Sequence, residues 1–354
     1  MKWWSGPGSS CAQVTFLTRD YLLNITVIVC TYNRSEALVK ALDSLAASVL
    51  PKPISWEVLI VDNNSNDQTR EVVESFCRRY PGRFRYLFEP QPGKSHALNA
   101  GIREAQSGVL AFTDDDVIVE PSWLWNLTSA LHGGGWAGAG GRIIPVWPRA
   151  TPGWLSTDDP HTMGAFVAFD PGTEAGPLTR PPYGANMAFR REAFEKYGGF
   201  RTDLGPRPGS EIRREDTEFA SRLLAGGERL RYEPAAVVRH PVPECRMKKR
   251  FVLRWWFWYG RAEVANSPSP SDARWLLGGV PLYLLRRLAR WTLQWLISIG
   301  ASRRFSCRRN VWYIAGIVVA CYQWTRRQNA QAAAADGVAP THPERKPTQS
   351  DTPM

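Results

Sequence analysis

Residues 24–31 read Asn-Ile-Thr-Val-Ile-Val-Cys-Thr, an almost unbroken run of apolar and β-branched residues that leads into the polar sequence Thr31–Arg34. A strand that is buried on both of its faces has this continuous apolar character. Such strands are typical of parallel sheets that are covered by helices on both sides. The stretch therefore predicts a central strand of an open α/β sheet.

Similar runs recur on both sides of helix-like segments along the first part of the chain. The alternation, about every 25 to 30 residues, is typical of βαβ units. We therefore expect an α/β fold with a Rossmann-like, mostly parallel sheet flanked by helices. The predicted strands are 24–31, 56–61, 83–88 and 109–113, and the predicted helices are 36–47, 67–80 and 95–105.

The pattern becomes less regular after residue 133. Residues 145–182 are rich in Pro, Gly and Thr, which predicts an irregular excursion from the sheet. Regular segments then resume, with predicted strands at 184–189, 230–232 and 236–239 and predicted helices at 215–224 and 248–265.

Charge divides the 354 residues into a near-neutral body and a basic segment. Residues 246–327 hold 16 Lys and Arg, two acidic residues and eight of the 16 Trp, and their net charge of +14 exceeds the +11 of the whole chain. The predicted organisation is a poorly ordered leader (1–21), a catalytic domain (22–245), this basic, Trp-rich helical segment (246–327) and a disordered tail (328–354).

The basic segment favours a membrane surface over a nucleic acid. Its arginines alternate with apolar blocks, and no nucleic-acid-binding module is recognisable, so no nucleic-acid partner is expected. No apolar block reaches the ~20 residues of a spanning helix. We expect amphipathic helices on an anionic membrane surface. The alternative is a set of helices packed on the catalytic domain with snorkelling arginines.

The cysteines suggest a reducing compartment. None of the six forms a Cys-x-x-Cys pair, and the first 13 residues lack the long apolar core of a signal peptide. The expected location is therefore cytoplasmic, with peripheral attachment to the inner face of the cell membrane.

Polar residues follow three of the predicted strands. Thr31 and Tyr32 end the first, Asp62 ends the second, and Asp114–Asp116 end the fourth. Ligands of open α/β sheets bind at the carboxyl ends of the strands. An aromatic ring and clustered carboxylates there suit a nucleotide bound with a divalent metal. Each residue alone has a structural alternative, such as a turn or a helix cap.

These residues belong to an ordered set of motifs that resembles inverting family 2 glycosyltransferases of the GT-A fold. The resemblance covers roughly residues 24–245. The matching pieces are Val-Ile-Val-Cys-Thr-Tyr-Asn-Arg (27–34), Glu-Val-Leu-Ile-Val-Asp-Asn (57–63), Gly-Lys-Ser-His-Ala-Leu-Asn-Ala-Gly (93–101), Phe-Thr-Asp-Asp-Asp (112–116), Gly-Ala-Asn-Met-Ala-Phe-Arg-Arg (184–191), Gly-Gly-Phe (198–200) and Arg-Glu-Asp-Thr-Glu-Phe-Ala-Ser-Arg-Leu (214–223).

The resemblance implies a role for each matched residue, and the roles fall into donor, metal, catalytic and acceptor groups. It places Thr31, Tyr32 and Asp62 at the nucleobase, Lys94 in the loop facing the donor, Asp114 near the ribose and metal, Asp116 as main metal ligand, His240 as a further metal or diphosphate ligand, Glu215 and Asp216 as the catalytic pair with Asp216 as base, and Gly184 and Asn186 near the sugar or acceptor.

The implied enzyme is a hexosyltransferase-type glycosyltransferase that uses Mn²⁺ or Mg²⁺. It would move a sugar from a nucleotide-sugar donor, UDP- or GDP-linked, to a hydroxyl of a lipid-linked or cell-envelope glycan. The Gln-x-x-Arg-Trp motif of processive members is absent from the sequence, which favours a single addition. The alternatives are a nucleotidyltransferase with a similar acidic site and a non-enzymatic nucleic-acid-binding protein.

Overall fold

The computed structural model describes residues 24–131, 135–266 and 276–335. The predicted leader, residues 1–21, lies outside the described residues, and so does the predicted tail from residue 336 onward.

The described residues form an alternating series of strands and helices. The strands are β1 (Ile25–Thr31), β2 (Trp56–Asp62), β3 (Phe84–Phe88), β4 (Val109–Asp114), β5 (Ile118–Val119), β6 (Gly138–Val146), β7 (Gly176–Pro177), β8 (Met187–Arg190), β9 (Leu230–Pro241), β10 (Leu276–Leu277) and β11 (Val280–Pro281). The helices are α1 (Ser35–Ala46), α2 (Thr69–Arg79), α3 (Lys94–Glu104), α4 (Trp123–Ser129), α5 (Pro160–Gly164), α6 (Arg191–Tyr197), α7 (Glu215–Ala225), α8 (Lys249–Asn266), α9 (Leu282–Ile297) and α10 (Ala301–Ala335), with a 3₁₀ turn at Glu244–Met247 before α8.

The central sheet has the order β3-β2-β1-β4-β8-β6-β9-β5, with β7 paired to β9. Its first four strands are parallel, and β8 joins antiparallel to both β4 and β6. Strands β6 and β9 are parallel to each other. The predicted α/β architecture, with a mostly parallel sheet between helices, is therefore what the chain adopts.

The central position of β1 explains its continuous apolar sequence. Ile25, Val27, Ile28 and Val29 are fully buried because helices cover both faces of the strand. Helix α1 contributes one of the covering faces through buried leucines at helical spacing. Each fully buried aliphatic side chain stabilises the fold by about 2 kcal/mol relative to exposure.

The chain between 230 and 241 forms one strand, and the prediction of two short strands was wrong. Strand β9 pairs with β6 on both sides of an irregularity, where the register shifts between Gly141 and Arg142. Pro234 lies in the unpaired part of β9, and proline has no N–H to donate to a ladder. The proline therefore interrupts the pairing without ending the strand.

The C-terminal helices pack on the catalytic domain through a second apolar cluster. It joins Leu155 and Phe166 of the irregular excursion to Val252 and Trp256 of α8 and to Phe305 of α10. Helix α10 continues to Ala335, so the predicted disorder is contradicted for residues 328–335. That stretch is rich in alanine, which has the highest helix propensity, and this explains why the helix continues.

Helices α8 and α10 cross at very close range. A Cβ atom added to Gly260 would collide with the carbonyl oxygen of Tyr313, and one added to Gly316 would collide with that of Phe257. The two glycines therefore allow the backbones to touch. Among the described helices, none is both long and apolar enough to cross a membrane.

Candidate active site

The polar ends of β1, β2 and β4 lie side by side at one edge of the sheet. Thr31 is directly opposite Asp62 in the β1–β2 ladder, and Cys30 is opposite Asp114 in the β1–β4 ladder. Parallel strands in register end at the same edge, so the three polar ends face a common space. Tyr32 follows at the rim with 43% of its surface exposed, as a ring that can receive a stacked base.

Asp62 is held rigidly beneath this rim. It is only 2% exposed, its Oδ2 accepts a hydrogen bond from the Tyr86 hydroxyl at 2.9 Å, and its Oδ1 accepts one from the Ser65 N–H at 2.9 Å. Burial and the hydrogen bond to Asp62 raise the pKa of Tyr86 to about 12, so the phenol remains a donor. Asp62 therefore shapes the loop after β2 from beneath the rim.

The loop that carries Lys94 is braced by Asn63, the residue after Asp62. The Asn63 amide donates to the carbonyls of Glu89 and Gln91 at 3.2 and 2.7 Å, and its Oδ1 accepts from the Gly93 N–H at 2.7 Å. These contacts fix the start of α3, whose first residue is Lys94.

Lys94 connects the end of β4 with the start of α7. Its Nζ lies 2.7 Å from Asp114 Oδ1 and 3.7 Å from Glu215 Oε1. Burial opposes its charge, but Asp114, Glu215 and Asp216 outweigh that effect and raise the pKa of Lys94. The ammonium group therefore stays protonated among the carboxylates.

Two arginines that the predicted site did not include hold the rest of the aspartate triplet. Arg34 contacts Asp115 Oδ1 at 2.9 Å and Asp116 Oδ2 at 3.0 Å, and Arg246 contacts the same Asp116 oxygen at 3.1 Å. Burial acts against ionisation of Asp116, but the Arg34 and Arg246 guanidiniums hold its pKa below the usual range. Burial raises the pKa of the neighbouring Asp115 to about 6, although Arg34 opposes the shift.

His240 is almost fully buried next to Asp116. Its Nε2 lies 3.6 Å from Asp116 Oδ1, longer than a normal hydrogen bond, and 3.1 Å from the Arg246 guanidinium. Because a guanidinium only donates, Nε2 accepts that bond and the ring proton lies on Nδ1. The lone pair that a metal would need is therefore directed at Arg246.

The donor set suits a metal that is shared with a bound diphosphate. Within residues 24–131, 135–266 and 276–335, no three His, Cys, Asp or Glu side chains converge as a ready-made metal cage. Asp114 and Asp116 nevertheless project from the end of β4, and Asp116 is held ionised. Carboxylate oxygens are the ligands that Mg²⁺ and Mn²⁺ prefer, with phosphate oxygens and water completing the shell.

Glu215 and Asp216 begin helix α7 and differ sharply in environment. Glu215 is buried, and burial together with the charge of Asp216 raises its pKa to about 7, although Lys94 opposes the shift. Asp216 is partly exposed, and its two oxygens accept hydrogen bonds from the Gly184 and Thr217 N–H groups at 2.6 and 2.7 Å. Asp216 is therefore an oriented carboxylate at the cavity surface.

Both carboxylates line a cavity of about 90 Å³. The wall also includes Lys94, Asp114 and Gly184, together with Trp255 and Tyr259 from α8. The basic, Trp-rich segment is expected to lie on a membrane surface, but Trp256 of this segment is buried in the second apolar cluster. The i, i+4 spacing of Trp255 and Tyr259 was the signal that one helix face turns inward.

Asn186, which the resemblance placed near the sugar or acceptor, lies inside the protein. It is 0% exposed, its amide donates to the carbonyls of Arg142 and Ala236, and its Oδ1 accepts from the Trp123 indole at 2.8 Å. The two carbonyls are backbone groups that the irregularity between β6 and β9 leaves without a partner in the sheet. Asn186 therefore completes the sheet, and Gly184 alone of that pair lines the cavity.

The chain is similar in sequence to known proteins. The family model "Glycosyl transferase family 2" matches residues 26–198. The succinoglycan biosynthesis protein ExoM of Rhizobium meliloti (strain 1021) is 31% identical over 63% of this chain and 69% of its own length. The glucosyl-dolichyl phosphate glucuronosyltransferase of Haloferax volcanii is 26% identical over 71% of this chain and 80% of its own.

A solved structure is similar over most of the chain. It is the mannosyltransferase PcManGT from Pyrobaculum calidifontis, in complex with GDP-Man and Mn²⁺, with a TM-score of 0.51, 21% identity, and coverage of 91% of this chain and 77% of its own. The shared fold is GT-A, as expected from the sequence. The two other functional classes considered from the sequence are thereby set aside, and the chain belongs to glycosyl transferase family 2 and is a glycosyltransferase.

Proposed function

We propose that this glycosyltransferase moves one sugar at a time from a UDP- or GDP-sugar to an acceptor hydroxyl, with inversion and with a divalent metal. The observation that carries the proposal is the position of Asp216. Backbone N–H groups orient both of its oxygens at the wall of the cavity that Lys94 and Asp114 also line. One oriented base facing a donor site is sufficient for in-line displacement at the anomeric carbon.

Asp216 is the better base of the two adjacent carboxylates. Its side chain is partly exposed at the cavity, so an incoming hydroxyl can reach it. Glu215 lies deeper, with its pKa raised to about 7 and its Oε1 directed at the Lys94 ammonium. Glu215 therefore serves to hold Lys94, and through it Asp114, in place.

Positive groups surround the position proposed for the donor diphosphate. Arg34 and Arg246 reach Asp116 from opposite ends of the domain sequence, and Lys94 reaches Asp114. As the donor binds, these side chains can exchange their hydrogen bonds to the aspartates for hydrogen bonds to phosphate oxygens. They would stabilise negative charge on the departing nucleoside diphosphate.

Asp116 and Asp114 would hold the metal, with His240 as a further ligand if Arg246 moves away from Nε2. Mn²⁺ or Mg²⁺ would supply positive charge to the diphosphate. The Mn²⁺ in the complex of the similar mannosyltransferase supports this proposal. Thr31, Tyr32 and Asp62 would receive the base, but their geometry does not choose between uracil and guanine.

The proposed acceptor is a lipid-linked or other cell-envelope glycan, with the enzyme at the inner face of the membrane. The dolichyl phosphate in the name of the Haloferax volcanii relative supports a lipid-linked acceptor. In α9, Arg286, Arg287 and Arg290 are exposed on the first half, and Leu293 and Leu296 on the second. Such a surface fits the interface of an anionic membrane.

The full chain, incubated with a panel of UDP- and GDP-sugars and Mn²⁺, tests the catalytic proposal. One donor should be hydrolysed or transferred, activity should vanish in excess chelator, and an α-linked donor should give a β-linked product. Asp116→Ala should lose metal-dependent nucleotide binding while remaining folded. Full transfer in chelator, or by this variant, contradicts metal dependence, and a retained anomeric configuration contradicts inversion.

A further inference from the structure

A second and larger cavity lies among the C-terminal helices. It measures about 650 Å³ and shares no residue with the catalytic cavity. Its wall is formed by the first turn of α8, by the turn between α9 and α10, and by the first two turns of α10. Cavities of this size accommodate small organic ligands.

Apart from Ser298, the polar aliphatic side chains of this wall are cationic. Lys249, Arg304 and Arg308 contribute three positive groups, and the lining includes no acidic residue. None of the three forms an ion pair with any carboxylate in the described part of the chain. Three cations without a carboxylate partner make the cavity electropositive, which favours an anionic ligand.

The start of α10 adds a further positive end to the cavity. Gly300 and Ala301 both line it, and Ala301 is the first residue of the 35-residue helix. Gly300 has φ of 89°, a left-handed conformation that glycine adopts without strain and that lets the chain turn sharply into α10. The unpaired N–H groups of the first helical turn favour a phosphate or carboxylate.

Apolar groups make up the rest of the wall and the surface beside it. The Arg308 guanidinium lies over the Trp295 ring, with its Cζ 5.3 Å from the ring centre. Phe305 is buried at the base of the cavity. Ile299 lines the cavity with 91% of its surface exposed, and Leu296 and Ile297 next to it are 62% and 68% exposed. A purely inorganic anion would leave these aliphatic side chains in water.

We infer that this cavity binds the phosphate of an anionic lipid, with the acyl chains resting on Leu296, Ile297 and Ile299. Lys249, Arg304 and Arg308 would contact the phosphate oxygens through charge-assisted hydrogen bonds. The inference rests on the proposed attachment to a membrane surface and names a site for it. Hydrolysis of a sugar nucleotide in solution does not depend on this site, so the two proposals can fail separately.

A short-chain lipid tests the site without a membrane. Binding of dihexanoyl phosphatidic acid, kept below its micelle concentration and with chelator present, is measured by calorimetry on the full chain. Arg304→Gln combined with Arg308→Gln should weaken binding about tenfold or more, because two phosphate contacts are lost. The matched control, Arg326→Gln with Arg327→Gln, removes the same charge from exposed positions of α10 outside the cavity and should stay within about twofold of wild type.

Three outcomes overturn the inference. If both double variants lose affinity equally, diffuse charge explains the binding. If neither loses affinity, the lipid binds elsewhere. If inorganic phosphate binds as tightly as phosphatidic acid, the ligand is a free anion and the apolar contacts are irrelevant. Should the cavity double variant fail to fold, Arg304→Gln alone serves, because that side chain is exposed. Unchanged sugar-nucleotide hydrolysis by the cavity variant confirms that the catalytic site is intact.

Discussion

The backbone N–H of Gly184 donates a 2.6 Å hydrogen bond to Oδ2 of Asp216 across a sequence separation of 32 residues. The contact joins the segment before β8 to the first turn of α7. It orients the carboxylate proposed as base, and it explains why a residue without a side chain precedes β8. A Cβ atom added at Gly184 would lie 3.1 Å from the same oxygen.

Removing the proton acceptor should abolish turnover without affecting donor binding. Asp216→Asn keeps the shape of the side chain, and we expect kcat to fall on the order of 10²–10⁴-fold with donor Kd unchanged. Gly184→Ala keeps the carboxylate but displaces it, so kcat should fall about tenfold. Steady-state kinetics and calorimetry measure the two effects. Near-normal turnover by Asp216→Asn would remove this residue from the mechanism.

The buried carboxyl of Glu215 should make folding stability depend on pH. Burial and Asp216 raise its pKa from 4.5 to about 7, so the folded protein holds this proton more tightly than the unfolded chain. The associated stability is complete below about pH 4.5 and is lost as the pH rises through 7. Between pH 4 and pH 8 the free energy of unfolding of the wild type should therefore fall by about 2–3 kcal/mol relative to that of Glu215→Gln.

Urea unfolding in chelator measures this difference at each pH. The control is Glu244→Gln, because Glu244 is an exposed residue in the turn before α8. The difference in free energy of unfolding between Glu244→Gln and wild type should not change with pH in the same way. A constant difference between wild type and Glu215→Gln across the range would show that Glu215 ionises as freely in the folded protein as in the unfolded chain.

The buried amide of Asn186 should matter for stability and not for substrate. Asn186→Ala leaves two carbonyls and the Trp123 indole N–H without partners in the core, and we expect a loss of about 3 kcal/mol or more in the free energy of unfolding. Nucleotide affinity of the folded fraction should be unchanged. Wild-type stability combined with a raised KM for donor or acceptor would return Asn186 to the substrate site.

The central strands and their polar ends were predictable because the information is local. A continuous apolar run reports burial on both faces, and parallel pairing brings the residues after β1, β2 and β4 to one edge. The role of Asn186 was not predictable, because the gap that it fills arises where β6 meets a proline-containing part of β9. Nothing near residue 186 in the sequence indicates that irregularity.

The contribution of the basic segment to the site was also hidden in the sequence. Arg246 reaches Asp116 across 130 residues, and only the path of β9 and the following 3₁₀ turn brings the two together. Trp255 and Tyr259 look like membrane anchors in a basic, Trp-rich context, yet they line the same cavity as Glu215 and Asp216. Composition described the segment as a whole, while the orientation of each ring depends on helix packing.

One ion pair connects this C-terminal segment to the carboxylates that we propose act in catalysis, and it should influence turnover. Arg214 precedes Glu215 and has φ of 88°, a left-handed conformation that is unfavourable for a residue with a side chain. Its guanidinium pairs with Glu263 of α8 and lies 5.0 Å from the Tyr259 ring centre. The contacts hold the turn that aims Asp216 into the cavity, which makes Glu263 a positioning residue.

Glu263→Gln should therefore lower kcat about tenfold while leaving the donor KM within about twofold, because base orientation is disturbed and the donor contacts are not. Glu263→Asp should recover part of the loss by restoring the charge. The matched control is Glu228→Gln, which removes the exposed pair with Lys196 at 2.7 Å, and its kinetics should equal wild type. If Glu263→Gln changes only the melting temperature, or if it raises the donor KM as much as it lowers kcat, the ion pair stabilises the fold without positioning Asp216.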